Sequence, residues 1–477
     1  MKYCYLLLTM LACSGISASA KDGYRVQIKL NDKRDSMVYL AYYFGKSLPT
    51  IFKTDSARLD KNGVAVFQKK EKITGGMYMV LPEDKKSYFE ILLNNGDDLS
   101  VTATMTELPE SVKFKNSPLN EDFINYQKYL KTVGERQQQW QKDLANAKTA
   151  ADTAALRAKS RSLNDEVLAY RKKYIRENPG NLLSSIFNAV ELPNVPEGTH
   201  YLPDGKVDSL YGYRYYKTHF WDGFNFNDDR LIHTPLLEMR LTEYFNKVLY
   251  QHEDTVIQYA DSILARARGS ENLFKFTLNW LSTNAQTSKI MGMDKVFVHL
   301  VRNYYMKGAA NWLSDEELQK YIKRAEDIEP NLMNSPAPQL RSVDVLGQPK
   351  SLYDFKAKYT LLIFYSPDCG HCMQEIPKLD SVYRAVLKQK GVRMYGFNTD
   401  TEELKWREFI KKEKLDDWQH VWDPKRKSRY WDLYDVQSTP SIYLLDENKI
   451  IAGKKLDHTT IERALEIFEM KQKGQIK

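Results

Sequence analysis

Cys369 and Cys372 enclose Gly370 and His371 in the last quarter of a 477-residue chain. Two thiols at that spacing can do redox chemistry. One attacks a disulfide sulfur as a thiolate, and the other resolves the mixed disulfide that forms. The chain has four cysteines in all, and the other two, Cys4 and Cys13, lie in an N-terminal stretch with the pattern of an export signal. If that stretch is removed, the pair stands alone. Chance would place two cysteines this close, at this spacing, roughly once in two hundred draws. The β-branched and apolar run Thr360–Tyr365 precedes the pair, and a helical pattern, Met373–Lys388, follows it. At a strand-to-helix turn, Cys369 would face unpaired backbone N–H groups and the positive end of the helix dipole, and both stabilise a thiolate. His371 is a second potential stabiliser. Cys372 is expected to sit buried in the first helical turn, as the resolving thiol.

Two other roles for the pair fit less well. A structural disulfide closing so small a loop would contribute only about 2 kcal/mol in the chain-entropy picture. A zinc site needs four ligands, and no second CxxC or HxxxH pair occurs among the eight histidines. No metal or cofactor is therefore expected.

The surroundings set the compartment and the class. Lys2, the apolar stretch Tyr5–Cys13 and the small residues Ala18-Ser19-Ala20 read as a signal peptide over residues 1–20, cleaved after Ala20. Met10-Leu11-Ala12 before Cys13 forms an imperfect lipoprotein box, so a lipid anchor on Cys13 and peripheral membrane association stay open. No later segment reaches the roughly 20 apolar residues that a membrane span needs. The expected location is the periplasm. A net charge of +8 is small for this length, and basic and acidic residues are interspersed, which argues against a nucleic-acid surface. With 42% hydrophobic and 12% aromatic residues the chain can bury several cores.

The patterning divides the chain into three further parts, giving a multidomain α+β protein. Residues 21–115 read as short strands: Tyr24–Leu30 alternates apolar and polar, Val38–Tyr43 is a second run, and Asn62-Gly63 signals a hairpin between Ser56–Leu59 and Val64–Phe67. Further runs at Tyr78–Leu81, Phe89–Leu93 and Leu99–Thr104 suggest a small antiparallel β-sandwich-like domain. Residues 116–330 read as an α-helical domain. Gln127–Arg176 is helical until Pro179-Gly180, and Thr234–Gln251, Thr255–Arg268, Lys295–Met306 and Asp315–Ile328 follow. The aromatic stretch Tyr211–Phe226 reads as packing rather than a ligand cage. Residues 331–477 alternate strands and helices: Thr360–Tyr365, Met373–Lys388, Val392–Phe397, Glu402–Lys412, Ser441–Leu445 and Thr459–Phe468, an α/β domain with a central sheet.

Residues 331–477 resemble the TlpA/ResA-type thioredoxins of bacterial envelopes. The likeness rests on Ala337-Pro338, Asp344–Gly347, Leu352, the run from Ile363 through Cys372, Glu375-Ile376-Pro377, Asp423 and Thr439-Pro440 before Ile442–Asp446. It implies a thioredoxin fold with a mixed sheet and a thiol-disulfide oxidoreductase, a reductase or an isomerase. Its partners would be protein disulfide or dithiol substrates and an envelope electron donor. Cys369 and Cys372 would be catalytic. Gly370, His371, Glu375 and Pro377 would support them, and Thr439 and Pro440 would bind substrate, with Pro440 at the family's cis-proline position.

Two departures stand out. Ile363 occupies the place where many thioredoxins keep a buried acid, so the proton acceptor for Cys372 is open, with Glu375 a candidate. Gly370-His371 matches protein disulfide isomerases better than reducing thioredoxins. The leading regions resemble a Bacteroidetes envelope arrangement, through Phe114–Asn120 and Trp221–Arg230, but no chemistry comes with that likeness.

Two other functions remain open. A thiol peroxidase would use Ser366, three residues before Cys369, although its motif's proline would fall at Leu362. A binding or scaffold protein would use the first 330 residues, with the redox domain auxiliary.

Overall fold

The computed structural model describes residues 22–475 apart from Pro49 and Lys148. The expected signal peptide, residues 1–20 with Cys4 and Cys13, lies outside the described residues. The described chain forms two compact units. One runs to Val248 and includes Arg266–Phe274, and the other comprises Leu249–Ala265 and the chain from Lys275 onward.

The first unit begins with eight strands: β1 (Tyr24–Leu30), β2 (Met37–Tyr42), β3 (Phe52–Arg58), β4 (Val64–Lys69), β5 (Gly76–Pro82), β6 (Phe89–Leu93), β7 (Asp97–Ala103) and β8 (Lys113–Lys115). They form two four-stranded sheets, ordered β4-β1-β7-β8 and β3-β2-β5-β6. The inward residues of both sheets, among them Val26, Ile28, Val38, Leu40, Val80, Ile91, Leu99 and Val101, share one core. Each such side chain contributes about 1.5–3 kcal/mol on burial.

Two expectations are corrected here. The sandwich is not purely antiparallel, because β1 pairs in parallel with β7. Nor does Asn62-Gly63 close a hairpin. Strand β3 pairs with β2 and β4 pairs with β1, so the turn carries the chain from one sheet to the other. The turn signal itself is real. Gly63 has φ +75, a side chain there would run into the Leu30 carbonyl, and Asp60 Oδ1 accepts the N–H groups of Asn62 and Val64.

The helices of this unit are α1 (Pro118–Ala145), α2 (Ala150–Glu177), α3 (Leu182–Val190), α4 (Tyr211–His219) and α5 (Leu236–Glu243). The expected helix Gln127–Arg176 is two helices. Thr149 caps the second by accepting the Asp152 N–H, and a capping hydroxyl favours a new start over continuation. In the aromatic stretch, Phe220, Trp221, Phe224 and Phe226 are buried, and Phe220 and Trp221 pack against Tyr244.

The second unit carries α6 (Glu253–Ala267), α7 (Glu271–Thr287), α8 (Asp294–Leu300) and α9 (Asp315–Ile328), with the division between units falling inside α6 and α7. Ser314 and Glu317 cap the start of α9 reciprocally. A seven-stranded mixed sheet follows, built from β9 (Arg341–Asp344), β10 (Pro349–Ser351), β11 (Tyr359–Tyr365), β12 (Val392–Asn398), β13 (Gln419–Trp422), β14 (Ser441–Leu445) and β15 (Ile451–Lys454), in the order β10-β9-β13-β12-β11-β14-β15. Strand β11 lies parallel to β12 and antiparallel to β14. Helices α10 (Gly370–Val382), α11 (Glu403–Lys412), α12 (Tyr430–Leu433) and α13 (Ile461–Gln472) complete it.

Every residue of β11 is buried, as a strand covered on both faces requires. Leu361, Ile363 and Tyr365 pack with Cys372 and Ile376 on one side, and Leu362 and Phe364 pack with Phe397 and Tyr434 on the other. The expected multidomain α+β organisation, with a β-rich start, a helical middle and a thioredoxin-like end, is what the chain adopts. Among the described residues no helix is long and apolar enough to cross a membrane.

Candidate active site

Strand β11 ends at Tyr365, and α10 begins at Gly370, so residues 366–369 make the turn that presents the cysteines. Cys369 is the N-cap residue of α10, with extended backbone and with its sulfur accepting the Cys372 N–H at 3.3 Å. As a thiol it donates to the Thr439 carbonyl 3.1 Å away. Thr439-Pro440 is cis, and it brings the start of β14 against the sulfur. Both cysteines are free thiols, Cys369 half-buried and Cys372 buried.

Their environments push the two thiols apart. Burial opposes ionisation of Cys369, but hydrogen bonding from the Thr439 side chain and from the N–H groups of Cys372 and His371 outweighs it and sets the thiol below its ordinary value. Burial dominates at Cys372 and pushes it up to about 12. Cys369 is thus the more readily ionised of the two, and Cys372 is held protonated.

The remaining expected residues take distinct places. His371 is exposed, and its imidazole makes no hydrogen bond among the described residues; its contribution at Cys369 comes through its backbone N–H. Gly370 is exposed, with open space where a Cβ would stand. Pro377 lies inside α10 and removes one N–H from its ladder. The Glu375 carboxylate accepts the backbone N–H of His458 at 2.5 Å and faces its Nδ1 at 2.7 Å. Ser366 Oγ donates to Asp400 at 3.1 Å and accepts the Asp368 N–H at 3.2 Å.

Sequence reasoning did not find the polar group within the same core. Tyr365 donates to His420 Nδ1 at 3.1 Å, since His420 Nε2 is committed to the Leu415 carbonyl at 2.8 Å, and it accepts from Trp406 Nε1 at 2.8 Å. Burial pulls His420 down to about 4, so it is a neutral acceptor at neutral pH. Its only sequence signal was a lone histidine beside the apolar Val421-Trp422.

An alkylation profile separates backbone from side chain at position 371. In a Cys372→Ser background, iodoacetamide should label Cys369 with a midpoint below about 8.5, the ordinary thiol value. His371→Ala should leave that midpoint in place. His371→Pro, which deletes the N–H, should raise it. Equal shifts in both variants would assign the stabilisation to the imidazole.

Residues 333–454 match the AhpC/TSA family, residues 146–331 a domain of unknown function (DUF5106), and residues 24–123 a second one (DUF4369). The chain is similar to thiol-disulfide oxidoreductase ResA of Geobacillus kaustophilus, at 28% identity over 138 residues, covering 28% of this chain and 76% of that protein. It is similar to ResA of Bacillus cereus at 29% identity over 142 residues, covering 30% of this chain and 78% of that protein. Of solved structures, the thioredoxin domain of a thiol-disulfide oxidoreductase from Bacteroides vulgatus is 32% identical, with a TM-score of 0.26, covering 28% of this chain and 96% of that one. A thioredoxin-like protein from Bacteroides caccae is 22% identical, with a TM-score of 0.46, covering 57% of this chain and 98% of that one. Residues 333–454, carrying the Cys369–Cys372 turn, thus form an AhpC/TSA thioredoxin-like domain, with ResA-type thiol-disulfide oxidoreductases as homologues and two domains of unknown function ahead of it.

Proposed function

We propose that this protein is an extracytoplasmic thiol-disulfide oxidoreductase that acts on protein disulfides through Cys369 and Cys372. The position of Cys369 at the α10 N-cap carries this reading, with backbone N–H groups aimed at a sulfur whose partner thiol is buried three residues on. The relatives named ResA support the reaction class, and the signal-like N-terminus supports the location.

The Cys369 thiolate attacks one sulfur of a substrate disulfide. That S–S bond breaks, a Cys369–substrate disulfide forms, and the first substrate sulfur leaves as a thiolate that takes up a proton. Cys372 loses its proton and attacks Cys369 Sγ. The second substrate thiol departs, and the protein keeps a Cys369–Cys372 disulfide. The substrate has gained two electrons and the protein has lost two, so a dithiol electron donor in the envelope must restore the pair. Thr439 and Pro440, beside the Cys369 sulfur, offer main chain to an extended substrate segment.

Turnover of insulin disulfides with dithiothreitol as donor tests this reading. The full chain should accelerate insulin reduction, Cys369→Ser should not, and neither should consume hydrogen peroxide at a comparable rate. Rapid peroxide consumption without insulin reduction would make the protein a thiol peroxidase instead.

A further inference from the structure

The first unit holds a cleft of about 880 Å³, between α3, the loop after Phe220 and Arg266. Its volume lies within the range of roughly 300–1,000 Å³ typical of ligand sites. Two glycines let its walls meet. A Cβ on Gly223 would stand 2.3 Å from the Asn188 carbonyl oxygen, and one on Gly269 would stand 2.0 Å from Asn227 Oδ1. At Gly223 the obstacle is main chain, so that wall has no room for a side chain.

Three carboxamides line the cleft, from Asn188, Asn225 and Asn227, all on exposed residues. Asn225 Oδ1 accepts the Asn227 N–H at 3.0 Å, which leaves its amide donors unused. The side chains of Asn188 and Asn227 make no hydrogen bond among the described residues. Arg266, also exposed, has no ion pair among the described residues. The acid lining the cleft, Asp222, is already paired with His219 at 2.6 Å.

A second positive charge lies behind the wall. Arg240 is buried and places its guanidinium on the carbonyls of Ala189, Glu191 and Phe220, with no carboxylate in contact among the described residues. It stacks beneath Phe220 and Trp221, and Trp221 lines the cleft. The cleft itself therefore offers one cation without an ion pair among the described residues, Arg266, beside three carboxamides.

From this we infer that the cleft binds an extended, acidic peptide segment. A carboxamide presents a donor and an acceptor together, as a peptide group does, so the three asparagines can pair with main chain whatever its side chains. Arg266 supplies the planar fork that matches a carboxylate. A glycan fits less well, because Trp221, Phe224 and Phe226 are 3%, 4% and 5% exposed and offer no open ring face to a sugar. The inference does not rest on the dithiol chemistry, since peptide binding there needs no cysteine.

Calorimetric titration of the full chain tests it, with a capped cysteine-free hexapeptide of alternating glutamate and valine as the probe. Saturable binding is expected, weakening as salt rises. The glutamine counterpart of the peptide should bind about tenfold more weakly or worse. Arg266→Gln and Asn188→Asp change exposed side chains, so both should fold as wild type by circular dichroism. Each should lose about tenfold or more in affinity for the acidic peptide, the second by adding a repelling carboxylate. Absence of saturable binding would overturn the inference, as would undiminished, wild-type affinity in both variants. Tighter binding of trigalacturonic acid than of the peptide would also overturn it, assigning the cleft to acidic sugars.

Discussion

Cys372→Ser should turn the protein into a trap that holds substrate proteins as reductant-sensitive mixed disulfides, while Cys369→Ser holds none. The asymmetry follows from position. Cys369 is half-buried at the helix cap with N–H groups on its sulfur, whereas Cys372 is buried and pushed up to about 12. Only the first can meet a macromolecular disulfide as a thiolate near neutral pH. Once the mixed disulfide has formed, its release needs the neighbouring thiol, and serine is too weak a nucleophile to supply it. Turnover should fall by about a thousandfold or more in either variant, because each removes an obligatory step. Non-reducing electrophoresis of envelope fractions shows which variant carries adducts. Adducts on Cys369→Ser in place of Cys372→Ser would reverse the two roles.

The second large effect is on stability. Asp294 of α8 pairs with Lys454 of β15, and both side chains are at least nine-tenths buried. Lys454 Nζ also donates to the carbonyl and to the side-chain oxygen of Asn331, at 2.8 and 3.0 Å. Burial pulls the lysine below its ordinary value, with Asp294 opposing that shift. The other carboxylate oxygen, Oδ1, has no partner among the described residues, so the pair rests on one oxygen. Asp294→Ala leaves a buried ammonium without its counter-charge and should cost about 3–5 kcal/mol. Combining Asp294→Leu with Lys454→Met removes both charges and should recover most of that loss. Equilibrium urea denaturation followed by circular dichroism reads the difference. A loss under about 1 kcal/mol for Asp294→Ala would mean that water reaches the ammonium.

Where an element is dictated by its own residues, the sequence reported it well. The β-branched run ending at Tyr365 is strand β11, because a strand buried on both faces must be apolar throughout. The helix after Cys369 and the break after α2 follow from short-range capping and backbone chemistry. The same local rules made the cysteine pair legible, since its spacing and its place at a strand-to-helix turn are properties of neighbouring residues. Short strands were the misses. Residues of β9, β13 and β15 carry too few alternations to register, and they become strands because the sheet supplies their hydrogen-bond partners.

Tertiary structure alone decided which elements meet. Ser56–Leu59 and Val64–Phe67 look like the arms of one hairpin, yet they belong to different sheets, because each finds its pairing partner elsewhere in the chain. Glu375 is a candidate proton acceptor by its place near Cys372, and only the fold brings His458, distant in sequence, to its carboxylate. Nothing in the sequence marks Arg240 and Lys454 as buried, and it is three main-chain carbonyls and a buried aspartate that keep them inside. Periodicity encodes which face of an element is apolar. It carries no information on the distant partner that covers that face or satisfies a buried charge, and those long-range pairings separate the legible thiol chemistry from the ion pair and cleft that only the fold brings together.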